Sequence, residues 1–235
     1  MDLRPDAQAD ATLNEKLAAI GFRIATSVTP RRTKKAQHNL PGDLPVDLEK
    51  TLLEAIQASQ GGGRLASLLC SWLVVHGAYV NVERLAKLAK FYPEKTHPAI
   101  RLLSGYAAFA FEHCGHKWKK LIRKSKEPIT LYPREITESA VQLKGAVDYL
   151  KKFGFIVPNG SLRIREYDVL TPEELIQRNR FYRNRYLYGP SWRADIITAL
   201  EAGAKSPAEI VRQIGCSYEP AHRVFREYQL VNKAA

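Results

Sequence analysis

The chain has 235 residues, 45% hydrophobic and 26% charged, the usage of an ordinary globular protein with room for a substantial core. Lys and Arg outnumber Asp and Glu by 36 to 24, a formal net charge of +12, which favours polyanionic partners: nucleic acid first, an anionic membrane surface second. A solvated basic surface with no ligand has the same composition. Cys70, Cys114 and Cys216 are too few and too scattered for a disulfide framework, which points to a reducing cytoplasm. The acidic, polar start "MDLRPDAQAD" lacks the apolar segment of a secretory signal. The longest apolar run, "LASLLCSWLVV", is too short to cross a bilayer, so no membrane partner is expected.

Residues 1–47 read as a loosely ordered basic arm or linker. "LNEKLAAIGF" is a short amphipathic patch suited to a helix, and "TPRRTKKAQHNLPGDLP" joins a basic cluster to helix-breaking Pro30, Pro41, Gly42 and Pro45. Arg31, Arg32, Lys34 and Lys35 suit a flexible arm on phosphates as well as a solubilising linker.

Residues 48–135 are patterned as a helical bundle. "DLEKTLLEAIQASQ" puts Leu48, Leu52 and Ile56 on one face, and "RLASLLCSWLVVHG" is apolar almost all round and stops at Gly77. Asn81 is placed to cap "VERLAKLAKF", with Leu85 and Leu88 inward, and "AIRLLSGYAAFAFEHCG" is a further apolar helix before the basic "KWKKLIRKSK". This half would dimerise, or bind an effector or a protein partner.

Residues 136–170 read as one helix, "TESAVQLKGAVDYLKKFG", with Val141, Val147 and Leu150 inward, running into a β-hairpin. Asn159-Gly160 favours a tight turn because both residues tolerate positive φ. Phe155–Val157 and Leu162–Val169 would be its strands, with Arg163 and Arg165 alternating against Leu162 and Ile164. Residues 171–189 read as one connector helix. Thr171, Pro172 and Glu174 form its capping signal, and Arg178, Arg180, Arg183 and Arg185 alternate with Phe181, Tyr182, Tyr186 and Tyr188. Such a helix serves equally as a nucleic-acid face or as a connector packing its rings on both neighbours.

In 190–235, Trp192, Ile196, Ile197 and Leu200 define a first helix that breaks at Gly203. Ser206-Pro207-Ala208-Glu209 opens a second, which carries Ile210, Val211 and Ile214 and stops at Gly215. A third helix spans 218–228, with Ser217 as its expected N-cap. Ile210, Ile214, Ala221 and Val224 would pack inside, leaving Tyr218, Glu219, His222, Arg223 and Arg226 outward.

These residues resemble a helix-turn-helix. "GCSYEPAHRV" is similar to the lactose-repressor type, whose turn has the form Gly–hydrophobic–Ser–Tyr followed by Ala/Val and Arg-Val spacings. Val211 departs from it, standing where that family usually has Ala. "YLKKFGFIV", "NGSLRIREYDV" and "LTPEEL" resemble the helix, wing and following Thr-capped helix of bacterial winged-helix regulators. The resemblance implies a mainly α fold with an N-terminal helical bundle, a wing-like hairpin near 155–169 and a C-terminal helix-turn-helix. It implies a bacterial-type, sequence-specific regulator of transcription that binds double-stranded DNA, an antitoxin-like or phage-defence regulator being one version. Tyr218, Glu219, His222 and Arg223 would read base edges. Lys205, Arg212 and Arg226, with Arg163 and Arg165 of the wing and Arg178, Arg180, Arg183 and Arg185 of the connector, would take phosphates. One such helix reads few base pairs, so a homodimer is expected.

"EHCGHK" brings His113, Cys114 and His116 together without the further ligands a metal site requires. No nucleophile, base and orienting acid stand at motif spacing, so neither an enzyme nor a cofactor is expected. Three rivals remain: an interaction adaptor that keeps the helix-turn-helix shape without DNA, an RNA- or replication-associated factor that uses the basic arm and the Arg/Tyr helix, and an enzyme whose site assembles from residues outside any motif, which a deep polar pocket in the helical half would revive.

Overall fold

A computed structural model describes residues 7–24, 46–91, 98–123, 125 and 127–234. The basic cluster Arg31–Lys35 lies outside them. The fold is mainly helical, with one two-stranded parallel sheet. Among the described residues no single helix is long and apolar enough to cross a membrane.

Helix α1 (Ala7–Ala19) falls in the segment expected to be loosely ordered. It is held because Leu17, Ile20 and Phe22 are buried, Lys16 pairs with Glu54 at 2.8 Å, and Phe22 stacks on Trp72 with ring centroids 5.9 Å apart. Helix α2 (Leu48–Ala58) is capped by the Asp47 side chain and buries Leu48, Leu52 and Ile56, the face its periodicity predicts. Helix α3 (Arg64–His76) ends at Gly77, whose φ of −60° is ordinary for a helix. Glycine is needed there for space: an added Cβ would lie 2.6 Å from Cys114 Sγ. Helix α4 (Val82–Ala89) is capped by Asn81, and α5 (Pro98–Cys114) buries residues 99–100 and 102–110 at the centre of the molecule.

The helix and hairpin expected across 136–170 are corrected. The helix is two: α6 (Arg134–Lys144) and α7 (Asp148–Lys151), parted at Gly145 with φ +73°. Strand β2 (Phe155–Ile156) pairs in parallel with β1 (Ile129–Thr130), not with Leu162–Val169. Backbone accounting gives the reason. Val157 O accepts from Val147 N and Asn159 N donates to Gly145 O, so the 155–159 segment is already partnered. On the other side, Arg163 N and Arg165 N donate to the hydroxyls of Ser67 and Ser71, one turn apart on α3. Arg23 N donates to Asp168 O, and Leu170 N to Gly21 O. The two would-be strands are each satisfied elsewhere, and no wing forms.

The connector is also two helices, α8 (Pro172–Arg178) and α9 (Arg180–Tyr188). Thr171 and Glu174 form a full capping box on α8. Asn179 breaks the run because its side chain accepts from Tyr182 N to start α9 and donates to Val46 O. Helices α10 (Trp192–Glu201), α11 (Pro207–Ile214) and α12 (Tyr218–Ala234) follow. One continuous core runs from Leu17 through α5 to Ile210 and Val224.

The 171–235 segment is bound to the first half by a buried ion network. The Arg185 guanidinium reaches Glu49 with two hydrogen bonds, 2.5 and 2.7 Å, and Asp195 with a third at 2.7 Å, and all three side chains are fully buried. Asn81 donates from its backbone to Glu49 and from its side chain to Asp195. Arg84 pairs with Asp47, and both guanidiniums lie over the Phe181 ring. Burial, the largest single influence, would raise the Glu49 carboxyl, but the Arg185 and Arg84 guanidiniums and the Asn81 N–H together outweigh it and hold Glu49 below the ordinary carboxylate value. Arg185 is therefore corrected as a phosphate contact, because it is fully buried and each of its three nitrogens is bonded to Glu49 or Asp195. Arg185→Ala is expected to cost about 3–5 kcal/mol, since it strands two buried carboxylates. Urea denaturation measures it, with Arg178→Ala as the exposed control.

His76 is a second buried polar junction. Its Nε2 lies 2.9 Å from Leu170 O and its Nδ1 2.9 Å from the Tyr182 hydroxyl. A carbonyl only accepts, so Nε2 carries the proton and Nδ1 accepts from Tyr182. Burial pulls the imidazole down from 6.5 to about 4. The unfolded chain therefore binds the extra proton first, and stability falls as pH drops from about 6.5 to about 4. The loss is expected to approach about 3 kcal/mol. Unfolding midpoints across that window should fall less steeply in His76→Gln, and identical slopes would remove His76 as the cause.

Candidate nucleic-acid interface

The surface of interest is built by α10, α11 and α12. Ser206 caps α11 by accepting from Glu209 N at 3.2 Å, with Pro207 as the first helical residue. The expected reciprocal box is half made: Glu209 accepts from Lys205 N at 2.8 Å rather than from the cap residue itself. The helix ends at Gly215, whose φ of 77° and ψ of 15° lie in the left-handed region. Cys216 is buried directly after it. The chain then turns through Ser217 into α12, which rests on both α10 and α11.

The inner packing follows the pattern read from sequence. Ile210, Ile214, Ala221 and Val224 are buried, while Val211 stands half-buried at the edge. With Ala221 and Val224 buried, the first half of α12 turns Tyr218, Glu219, His222, Arg223 and Arg226 to solvent. The Tyr218 and His222 rings, one turn apart, stack with centroids 5.9 Å apart and planes 21° from parallel. Lys205 and Arg212 are exposed on the neighbouring element. Lys205, Arg212, Arg223 and Arg226 form no ion pair among the described residues. Further along α12, Glu227 is held by Arg193 at 2.5 Å.

The other basic candidates are not gathered here. Arg163 and Arg165 have exposed side chains, but their backbone is docked on α3, and the Arg165 guanidinium lies 6.0 Å from the centre of the Tyr167 ring. Arg178 is exposed on α8. Arg183 pairs with the Glu201 carboxylate at 2.9 Å, and Arg180 donates to the Glu201 carbonyl at 3.4 Å, so both are engaged with the end of α10. Of the alternating rings, Phe181 and Tyr182 are buried, and Tyr186 stacks on Tyr79 at 5.1 Å. Cys114 donates to Leu73 O, while His113 lies against Phe109 and His116 against Phe111.

One contact at this surface has no sequence signal. Lys87, from the last turn of α4, donates to Gly215 O at 2.5 Å and lies 5.9 Å from the centre of the Trp192 ring. The partners are 128 residues apart, and Lys87 reads from sequence as an ordinary solvent-facing lysine. The bundle thus braces the turn that launches α12. No family model, curated protein or solved structure matches the chain.

Ala221 is fully buried where α12 meets its neighbours. Ala221→Leu is expected to cost about 1–3 kcal/mol by overpacking. Thermal unfolding checks this, and an unchanged midpoint would mean that the helices do not close at that point.

Proposed function

We propose that this chain is a sequence-specific, double-stranded DNA-binding protein, a transcriptional regulator whose helix α12 enters the major groove. The observation that carries the reading is the exposed face across α11 and α12. There Lys205, Arg212, Arg223 and Arg226 form no ion pair among the described residues and stand beside Tyr218, Glu219 and His222, while Ala221 and Val224 on the opposite face are buried. Side chains at the start of a recognition helix reach base edges, and flanking cations take phosphates. Tyr218, Glu219, His222 and Arg223 are assigned to bases, and Lys205, Arg212 and Arg226 to the backbone. The unit acts as a helix-turn-helix without a wing. It reads a short half-site, and two copies of the chain bind together.

A partner-binding role has its own support, on α6 rather than in the 48–135 half. Ile136 and Leu143 stand exposed on one side of α6, with Ala140 between them. If the chain is instead an interaction adaptor, DNA affinity will be absent or insensitive to salt.

The test is selection from random duplex and RNA pools at near-physiological salt, followed by gel shifts on the recovered duplex. Arg223→Ala is expected to abolish specific binding with an unchanged thermal midpoint. Arg212→Ala should weaken all sequences alike and lower the salt slope by about one. Undiminished affinity of Arg223→Ala, or tighter binding to RNA than to duplex, sinks the reading.

A further inference from the structure

An open pocket of about 530 Å³ lies between the end of α4 and the start of α10, lined by residues that include Glu83, Lys87, Lys90, Phe91, Trp192 and Ser217. Its size falls within the range of small-molecule sites. Two features define what fits. Phe91 is 76% exposed and Trp192 half-buried, so two aromatic side chains line the open space, a surface suited to stacking on a flat ring. The charge is one-sided. Glu83 is paired with Lys120 at 3.1 Å, while the Lys87 ammonium meets the neutral Gly215 carbonyl and the Trp192 ring and forms no ion pair among the described residues. Lys90 forms no ion pair among the described residues.

We infer that this pocket binds a small planar aromatic anion, and that the anion competes with Gly215 for the Lys87 ammonium. The ring is held by Phe91 and Trp192, and its carboxylate or phosphate by Lys87 and Lys90. A charged oxygen is a stronger acceptor than a peptide carbonyl, so occupancy draws Lys87 off Gly215. Gly215 is the left-handed residue that directs the chain into α12, and Ser217, the last residue before α12, also lines the pocket. The site is thus an effector site for the turn. Its relevance to DNA rests on the function proposed above, but the binding does not.

Calorimetry on the full chain uses adenosine monophosphate and 4-hydroxybenzoate, with adenosine and 4-hydroxybenzamide as neutral counterparts. The preferred anion distinguishes a nucleotide from an aromatic acid. At least one anion should bind saturably, and its neutral counterpart about tenfold or more weaker. Lys90→Ala, whose amine forms no ion pair among the described residues, should weaken the anion by a similar factor. Amides of residues 216–218 should exchange with deuterium faster when the anion is bound, and already fast in Lys87→Met. No saturable binding at millimolar concentration, equal binding of the neutral compounds, or tighter binding of a short oligothymidylate overturns the site. Binding without a change in exchange overturns the competition for Lys87. All these readouts proceed without DNA, so a failed gel shift bears only on the function of α12.

Discussion

Arg185 is the fixed point around which the two ends of the chain are arranged. Its planar fork meets Glu49 edge to edge and still reaches Asp195, joining α2, α9 and α10 through one side chain with no exposure. The joint is demanding because desolvated charge tolerates little misplacement. Glu49 is in turn held by the Asn81 backbone, and Asp195 by the Asn81 side chain, so the cap of α4 registers the same point. Its worth lies in defining position: apolar surfaces slide, whereas a three-point charged contact sets α10 against the bundle.

That placement carries α11 and α12. Helix α10 is buried along Ala194–Leu200, and α12 rests on it as well as on α11. Lys87 adds an outer brace from α4 to Gly215. The exposed face of α12 is thus presented by elements from both ends of the chain.

What could be read in advance separates by the range of the interaction. Caps and faces set within one turn were visible: Thr171 with Glu174, Asn81 over Arg84, Leu48, Leu52 and Ile56, and the Ile210, Ile214, Ala221 and Val224 seam. The ion network was not, because Glu49 sits in the first turn of an amphipathic helix and Arg84 between Glu83 and Leu85, where charge ordinarily faces water. Their partners lie tens of residues away or more: Asp47 is 37 residues from Arg84, and Arg185 is 136 from Glu49. The hairpin failed for a related reason. Asn159-Gly160 does make a turn, with Ser161 N donating to Pro158 O, but turn chemistry fixes only the bend, and competition for backbone partners decides what each arm joins. The same applies to Arg185, whose spacing alone could not tell a groove-facing cation from a buried one.

The docking of the 162–165 segment on α3 has its own consequence. Ser67 and Ser71 offer two hydroxyl acceptors along one helix ridge, a substitute for the edge of a strand. At 163 and 165 only peptide amides are gripped, so those two positions are indifferent to side-chain identity except that proline is forbidden, while Leu162 packs its side chain against the core. The outward arginines on that segment are free to drift in composition, while the two serines beneath them are not.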